Sequence, residues 1–172
     1  SFMHGMGYCE AVENVMGIEI PDRAKYLRTI WCEMSRIHSH LMWLGLLADG
    51  FGFESLFMES WRMREKILDM FEYSTGGRVI FSVNKIGGQR KDMDDEMIRN
   101  FVSILNGMEK DLRLLSRTFL DDYAVKSRLQ GVGILTAQQA HDLGAVGPFM
   151  RASGIALDTR KRGYAAYGDL DF

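Results

Sequence analysis

One stretch of the sequence, from residue 22 to about residue 49, carries the periodicity of a long amphipathic helix. Its apolar residues recur at alternating steps of three and four, which places their side chains on one stripe of a helix. They are Leu27, Ile30, Met34, Ile37, Leu41, Leu44 and Ala48. At about 1.5 Å per residue such a helix is roughly 42 Å long. We expect it to pack against other helices and to extend beyond a core of this size, where a partner chain or further parts of this protein cover it.

The second half of this helix is apolar on nearly every side. Residues 41–48 contain Gly45 as their only interruption, and a helix that is apolar all round is typical of a position among other helices. We therefore predict that this half is surrounded by helices. The run is far shorter than the roughly 18 to 20 residues that a membrane-spanning helix needs, so no membrane span is predicted.

Three further stretches have helical character. A short amphipathic helix over residues 10–16 ends at Gly17. A second runs from about residue 54 to residue 73 and ends at Gly76. A third, long helix begins at Asp94 and carries an apolar stripe that reaches Phe119. Residues 136–139 fit a capping box that opens one more short helix.

The best candidate for a strand is the segment 79–83, which is rich in β-branched and aromatic residues. Gly87 and Gly88 follow as a turn, so a small β-hairpin is expected here. The predicted fold is therefore mainly α, with several long packed helices, a small hairpin and a single domain over residues 1–172.

Composition narrows the range of functions. The formal net charge of −2 provides no broad positive field, which argues against non-specific binding of nucleic acid. Two cysteines, Cys9 and Cys32, fit a reducing compartment better than a disulfide scaffold. The cytoplasm is the expected location.

The residues that could bind a metal do not form a recognisable site. Cys9 and Cys32 are too far apart in sequence to form a C-x-x-C pair, and we interpret both as buried structural thiols. His38 and His40 lie about 200° apart around a helix, so they cannot converge on one ion. No metal ligands are predicted in this chain.

The C-terminal stretch is the most informative for chemistry. Arg151, Asp158, Arg160, Tyr164 and Tyr167 lie in a segment without clear periodicity. Arginine, aspartate and tyrosine in such a segment are typical of a polar cavity, although a solvated, salt-bridged loop has the same composition.

Two other residues are singled out by the pattern alone. Arg64 lies near Trp61 and Leu68, away from the acidic face of its helix, so we expect a half-buried guanidinium with a partner carboxylate. The pattern leaves the role of His4 open.

Several segments together resemble one family, in which they occur in the same order. It is the superfamily shared by the large subunits of membrane-bound, energy-converting nickel–iron hydrogenases and by the quinone-site subunit of respiratory complex I. The segments are residues 4–21 (HGMGYCEAVENVMGIEIP), 23–45 (RAKYLRTIWCEMSRIHSHLMWLG), 62–77 (RMREKILDMFEYSTGG), 86–88 (IGG), 131–135 (GVGIL) and 147–161 (GPFMRASGIALDTRK).

The resemblance implies the middle part of the nickel–iron hydrogenase large-subunit fold. In the hydrogenase branch the metals are held by two C-x-x-C pairs, one near each end of the subunit, and neither pair is present here. Residues 1–4 resemble the segment directly after the first pair. We therefore expect a central fragment without a cofactor of its own, whose parent carries a nickel–iron centre, or alternatively binds quinone with NADH as the donor to the complex.

The resemblance also assigns candidate site residues. His4 matches the histidine that follows the first cysteine pair, where it can support the metal ligands. Arg151, Asp158 and Arg160 match the R-x-S-G and D-x-R motifs, which in the family lie near the cavity between the cofactor or quinone site and the iron–sulfur subunit. The chain departs from the family at Gly163, where Pro usually precedes the tyrosine.

Function and partners follow as expectations from the same resemblance. Cys9 after Tyr8 favours the hydrogenase branch, whose members interconvert protons and hydrogen. The alternatives are the quinone-site subunit of an NADH:quinone oxidoreductase and a metal-free structural relative. In each case the expected partners are a small iron–sulfur subunit and a membrane arm, with the protein peripheral to the cytoplasmic face of the membrane.

We predict that the chain of 172 residues self-associates at high concentration, because apolar surface that normally packs against other parts of its complex is exposed. Sedimentation velocity from micromolar to millimolar concentration measures this directly. A sedimentation coefficient that stays at the monomer value over that whole range would contradict the prediction.

Overall fold

The computed structural model describes residues 2–172, which form seven α-helices and one small hairpin. In chain order these are α1 (Phe2–Met16), α2 (Asp22–Gly50), α3 (Glu54–Thr75), β1 (Asn84–Lys85), β2 (Gly88–Gln89), α4 (Asp95–Asp121), α5 (Tyr123–Leu129), α6 (Ala137–Asp142) and α7 (Pro148–Ala152). Two short 3-10 turns, Thr159–Arg162 and Tyr167–Asp169, follow. The predicted mainly α fold with a small hairpin is confirmed. That residues 1–172 form a single domain remains a prediction.

The helices α2 and α3 form the centre of the structure. The predicted stripe of α2 faces the core, with Leu27, Met34, Leu41 and Ala48 buried and the residues between them partly buried. From α3, Leu56, Met63, Ile67 and Met70 are all buried in the same core. Helix α4 packs beside them through Phe101, Met108 and Leu115. The spacing of apolar residues therefore identified the faces that build the core.

The second half of α2 is not surrounded by helices, and that prediction is wrong. Helix α3 covers one side, where the Trp61 ring comes so close to Gly45 that a Cβ there would lie 2.6 Å from it. On the side away from α3, Trp43 and Leu46 are each 51% exposed. The reason is that α2 extends beyond the helices that pack against it among residues 2–172. Among these residues no helix is long and apolar enough to cross a membrane.

Local sequence signals set the helix ends. Gly76 adopts a left-handed conformation at the end of α3, and its N–H donates to the Glu72 carbonyl at 2.8 Å. Asp94 caps α4 by accepting from the Met97 N–H at 2.7 Å. The predicted capping box is confirmed, since Thr136 and Gln139 each accept from the other's backbone N–H.

The predicted strand over residues 79–83 is not formed. The first strand of the hairpin begins at Asn84, directly after this segment. Ser82 has a φ of +47°, which interrupts an extended strand. Phe81 is buried and stacks on Phe71 with 4.0 Å between ring centroids, whereas Val79 and Ile80 are 72% and 74% exposed. The conformation of this segment is therefore set by the stacking of Phe81 on Phe71. The expected hairpin around Gly87 is confirmed.

A buried ion pair joins α1, α2 and the hairpin. The Arg28 guanidinium donates to both carboxylate oxygens of Glu13, at 2.7 and 2.8 Å, and both side chains are almost fully buried. Arg28 also donates to the carbonyls of Lys85 and Gly88, at 3.0 and 3.1 Å. Glu13 accepts in addition from the Gly87 N–H at 2.8 Å. These bonds satisfy two charges that would otherwise destabilise the core.

We predict that Glu13→Gln lowers the free energy of unfolding by about 3 to 5 kcal/mol, because it leaves the Arg28 charge buried without a counter-charge. Denaturant titration monitored by circular dichroism measures the loss. Glu10→Gln is the matched control, since Glu10 lies on the same helix and makes no ion pair in residues 2–172. Equal losses in the two variants would contradict this assignment.

The same pair predicts an acid-sensitive step in stability. Hydrogen bonds from Arg28, aided by the Gly87 N–H and opposed by burial, hold the pKa of Glu13 below its ordinary value near 4.5. The stabilisation is therefore complete above about pH 4.5 and is lost as the pH falls through the lowered pKa.

Candidate functional site

His4 lies in the first turn of α1 and is exposed. The helix begins earlier than predicted, because Phe2 packs on Trp31 with 6.1 Å between the ring centroids and Met6 contacts Cys32. Within residues 2–172 no hydrogen bond, ion pair or ring contact connects His4 to the other predicted site residues. Its support of a metal site stays a prediction.

Asp158 and Arg160 form one unit, as their proximity in the D-x-R motif suggests. Asp158 begins the turn Thr159–Arg162 and accepts from the Arg160 backbone N–H at 3.0 Å. Its carboxylate also accepts from the Arg160 guanidinium, with the shortest bond 2.7 Å long. Hydrogen bonds from Arg160 and, more weakly, the charge of Arg151 hold the pKa of Asp158 well below its ordinary value.

This unit packs on α2 through Glu33. The Glu33 carboxylate accepts a short hydrogen bond from the Tyr167 hydroxyl and bonds of 3.3 Å from Arg36. Arg160 lies 3.9 Å from the same carboxylate and thus connects it to Asp158. Burial, followed by the bond to Glu33, raises the pKa of Tyr167 above its ordinary value of 10. We call Glu33, Arg36, Asp158, Arg160 and Tyr167 the tail cluster.

Aromatic contacts and one backbone bond hold the tail cluster against α2. The Tyr164 and Tyr167 rings lie 4.8 Å apart, and the Arg160 guanidinium lies 4.7 Å from the centre of the Phe172 ring. The Ala166 N–H donates to the Thr29 hydroxyl at 3.1 Å. This part of the chain is therefore folded against α2.

Arg151 lies at the margin of the tail cluster. It is exposed and donates to the Leu157 carbonyl at 3.1 Å. This bond keeps the guanidinium near the neighbouring Asp158, whose pKa its charge lowers. The structure thus brings together three of the four predicted site residues and leaves His4 apart. Counting Arg151, three arginines face two carboxylates, so this region favours an anionic or electron-rich group on its open side.

Sequence reasoning missed Glu33 and Arg36 as members of the site. The available signal was an acidic and a basic residue three positions apart on α2, outside its apolar stripe. Neither residue belongs to the motifs of the C-terminal stretch, so only their contacts with Tyr167 and Arg160 identify them.

An open cleft of about 670 Å³ lies beside the tail cluster, between α1, the start of α2 and Tyr164. It is lined by acidic residues and by the extended link before α2, and Tyr164 closes one side. None of His4, Arg151, Asp158 and Arg160 is among the described residues that line it. That they line a cavity therefore stays a prediction.

The residues present do not fit a nickel–iron centre. Within residues 2–172 no group of three or more histidine, cysteine or acidic side chains could hold a metal ion. Both cysteines are buried and free, as predicted. Burial raises the pKa of Cys32 to about 12, and its Sγ lies 3.5 Å from the Met6 Sδ. A thiol in this state is a poor source of the thiolate that a metal needs.

Comparison with known proteins identifies relatives over nearly the whole chain. Residues 50–172 match the profile of a family described as respiratory-chain NADH dehydrogenase, 49 Kd subunit. The chain is 40% identical over 166 residues to a subunit of the F(420)H(2) dehydrogenase of Methanosarcina mazei, covering 96% of this chain and 44% of that protein. It is 38% identical over 160 residues to the membrane-bound hydrogenase subunit alpha of Pyrococcus furiosus, covering 93% of this chain and 38% of that protein.

A solved structure shares the fold. It is that of the membrane-bound sulfane sulfur reductase, an archaeal respiratory membrane complex, in which one chain superposes with a TM-score of 0.88 at 31% identity. The match covers 94% of this chain and 44% of the other. The chain thus spans less than half the length of the relatives that it matches.

We predict that Tyr167→Phe destabilises the tail cluster by about 1 kcal/mol, because the Glu33 carboxylate loses one hydrogen bond. Hydrogen exchange at the Ala166 amide, which is bonded to Thr29, is expected to accelerate. Tyr123→Phe is the control, since Tyr123 is 85% exposed. Unchanged exchange at Ala166 in Tyr167→Phe would contradict the role given to Tyr167.

Proposed function

The chain belongs to the family of the respiratory-chain NADH dehydrogenase 49 Kd subunit, and from this membership we propose that it is part of the large subunit of a membrane-associated hydrogenase. Its parent interconverts protons and hydrogen at a nickel–iron centre and exchanges electrons with a small iron–sulfur subunit. The observation that carries this proposal is the match of 93% of the chain to a protein named as a membrane-bound hydrogenase subunit. The pair Tyr8 and Cys9, which resembles the hydrogenase branch, supports the same choice.

The role of this part of the subunit is to build and hold one wall of the site. When bound, a nickel–iron centre would supply the hydrogen chemistry, and its thiolate ligands would come from outside residues 2–172. The chain itself contributes the tail cluster, in which Asp158 orients the Arg160 guanidinium and Glu33 anchors it to α2. Because the anchor is a packed helix, the guanidinium keeps one position, which favours a fixed contact with the contents of the cavity.

Partners and location follow from the same proposal. The relatives of this chain include subunits of membrane-bound complexes. We place the parent protein at the cytoplasmic face of a membrane, in contact with a small iron–sulfur subunit and a membrane arm.

The second candidate is the quinone-site subunit of a complex that receives its electrons from NADH. The description of the matched family as an NADH dehydrogenase subunit favours it, and the tail cluster suits a quinone headgroup as well as a metal centre. A metal-free structural relative is the third candidate. Measurements on one purified complex distinguish the three candidates.

The test uses the full-length parent protein purified with its small subunit. We expect about one nickel per large subunit, as the thiolate-bound centre requires, together with hydrogen-dependent reduction of an artificial dye. An intact complex that contains no nickel would overturn the proposal. Quinone reduction in that complex would then support the second candidate, and the absence of both activities the third.

We predict that Arg160→Gln in the parent lowers hydrogen uptake by roughly tenfold or more while nickel is retained, because Arg160 positions the site without binding the metal. Arg162→Gln is the matched control, since Arg162 is exposed in the same turn and has no charged partner among residues 2–172. Equal activity of the two variants would exclude a role for the Arg160 guanidinium.

A further inference from the structure

One side of the α2–α3 pair carries polar nitrogens that lack partners. Helix α2 contributes His38 and Gly45, and α3 contributes Phe57, Trp61 and Arg64. The Trp61 ring packs over Gly45 and lies 5.3 Å from the Phe57 ring, while the Arg64 guanidinium lies 4.7 Å from the centre of the Trp61 ring. We call this set the Arg64 surface. None of its residues belongs to the tail cluster.

Arg64 is half-buried. The sequence predicted a partner carboxylate for it, and no acidic side chain among residues 2–172 forms that pair. The guanidinium lies against the Trp61 ring instead. Its Nε is buried without a hydrogen bond among residues 2–172. Arg62, two residues earlier, pairs with both Glu59 and Asp111. The difference is that α3 turns Arg62 toward α4 and Arg64 toward a side that no acidic residue of the described part of the chain reaches.

Two more nitrogens beside Arg64 are buried and unbonded. They are the Nε2 of His38 and the Nε1 of Trp61. Burial lowers the pKa of His38 to about 4, and the charge of Arg64 acts in the same direction. The imidazole is therefore neutral near pH 7 and can donate one N–H without adding a second positive charge. Buried donors nearly always have an acceptor in a native assembly.

The Arg64 surface thus offers one guanidinium, the indole N–H of Trp61 and an imidazole nitrogen that donates in one of its two neutral tautomers. Apolar rings lie next to it, since Phe57 and Trp61 are partly exposed and their rings lie 5.3 Å apart. A carboxylate next to apolar side chains satisfies both features, because its oxygens accept from a guanidinium fork and its neighbours cover the rings.

We infer that the Arg64 surface binds an acidic polypeptide segment, in which one carboxylate pairs with Arg64 and apolar side chains on either side of it pack on Trp61 and Phe57. This inference is independent of the proposed hydrogen or quinone chemistry, since it rests on unpaired groups outside the tail cluster. The surface is an anchoring point for another protein segment within an assembly.

The test compares two blocked tripeptides, acetyl-Leu-Asp-Leu-amide and acetyl-Leu-Asn-Leu-amide, which differ only in the carboxylate. Binding to the 172-residue chain is followed by NMR at the indole N–H of Trp61. We expect the Asp peptide to bind roughly tenfold more tightly than the Asn peptide, because a charged hydrogen bond replaces a neutral one. Arg64→Gln is expected to abolish this preference, and Arg62→Gln, the matched control, to leave it unchanged.

Circular dichroism first establishes that each variant is folded. If Arg64→Gln does not fold, Arg64→Lys is measured instead, and its loss of the planar fork is expected to reduce the preference several-fold. Equal affinities of the two peptides for the wild-type chain, or an equal loss of preference in Arg62→Gln, would overturn the inference. Self-association that depends on Arg64 would assign the surface to a second copy of the chain and would overturn it as well.

Discussion

The buried ion pair between Arg28 and Glu13 is the constraint on which the rest of the structure depends. A guanidinium removed from water destabilises a protein by several kcal/mol unless it is paired and hydrogen-bonded, and here its acceptors come from α1 and from the hairpin. Neither element can shift along α2 without leaving a charge unpaired. The pair thereby helps to fix the position of α1 along α2, at which Phe2 packs on Trp31. The position of the hairpin against α2 therefore depends on this one pair.

The tail cluster depends on the same helix but uses another side of it. Glu33 lies about 140° around α2 from Arg28, so the C-terminal stretch and the hairpin do not compete for one face. Glu33 binds Tyr167 and Arg160, and the Thr29 hydroxyl accepts from the Ala166 N–H between these two sides. Polar groups that are held by a packed helix keep their geometry better than groups on a free loop.

Sequence reasoning succeeded where a local signal determines the outcome. The core stripe of α2, the left-handed Gly76 and the capping box at Thr136 each follow from residues within a few positions of one another. It failed where distant contacts decide. The strand over residues 79–83 is replaced by a bent segment because Phe81 stacks on Phe71. The carboxylate expected for Arg64 is not supplied by residues 2–172, in which the guanidinium lies on Trp61 instead.

The sequence by itself determined the long helices α2, α3 and α4, the helix boundaries at Gly76 and Thr136, and the family to which the chain belongs. These depend on periodicity, capping and the order of motifs, which are properties of neighbouring residues. Only the tertiary structure decided which charged groups meet. It placed Glu33 beside Asp158 and Arg160, left His4 exposed on α1, and left Arg64 without an acid. The physical reason is that a charge takes its partner from whatever element packs against it, and packing is set by the whole chain rather than by local spacing.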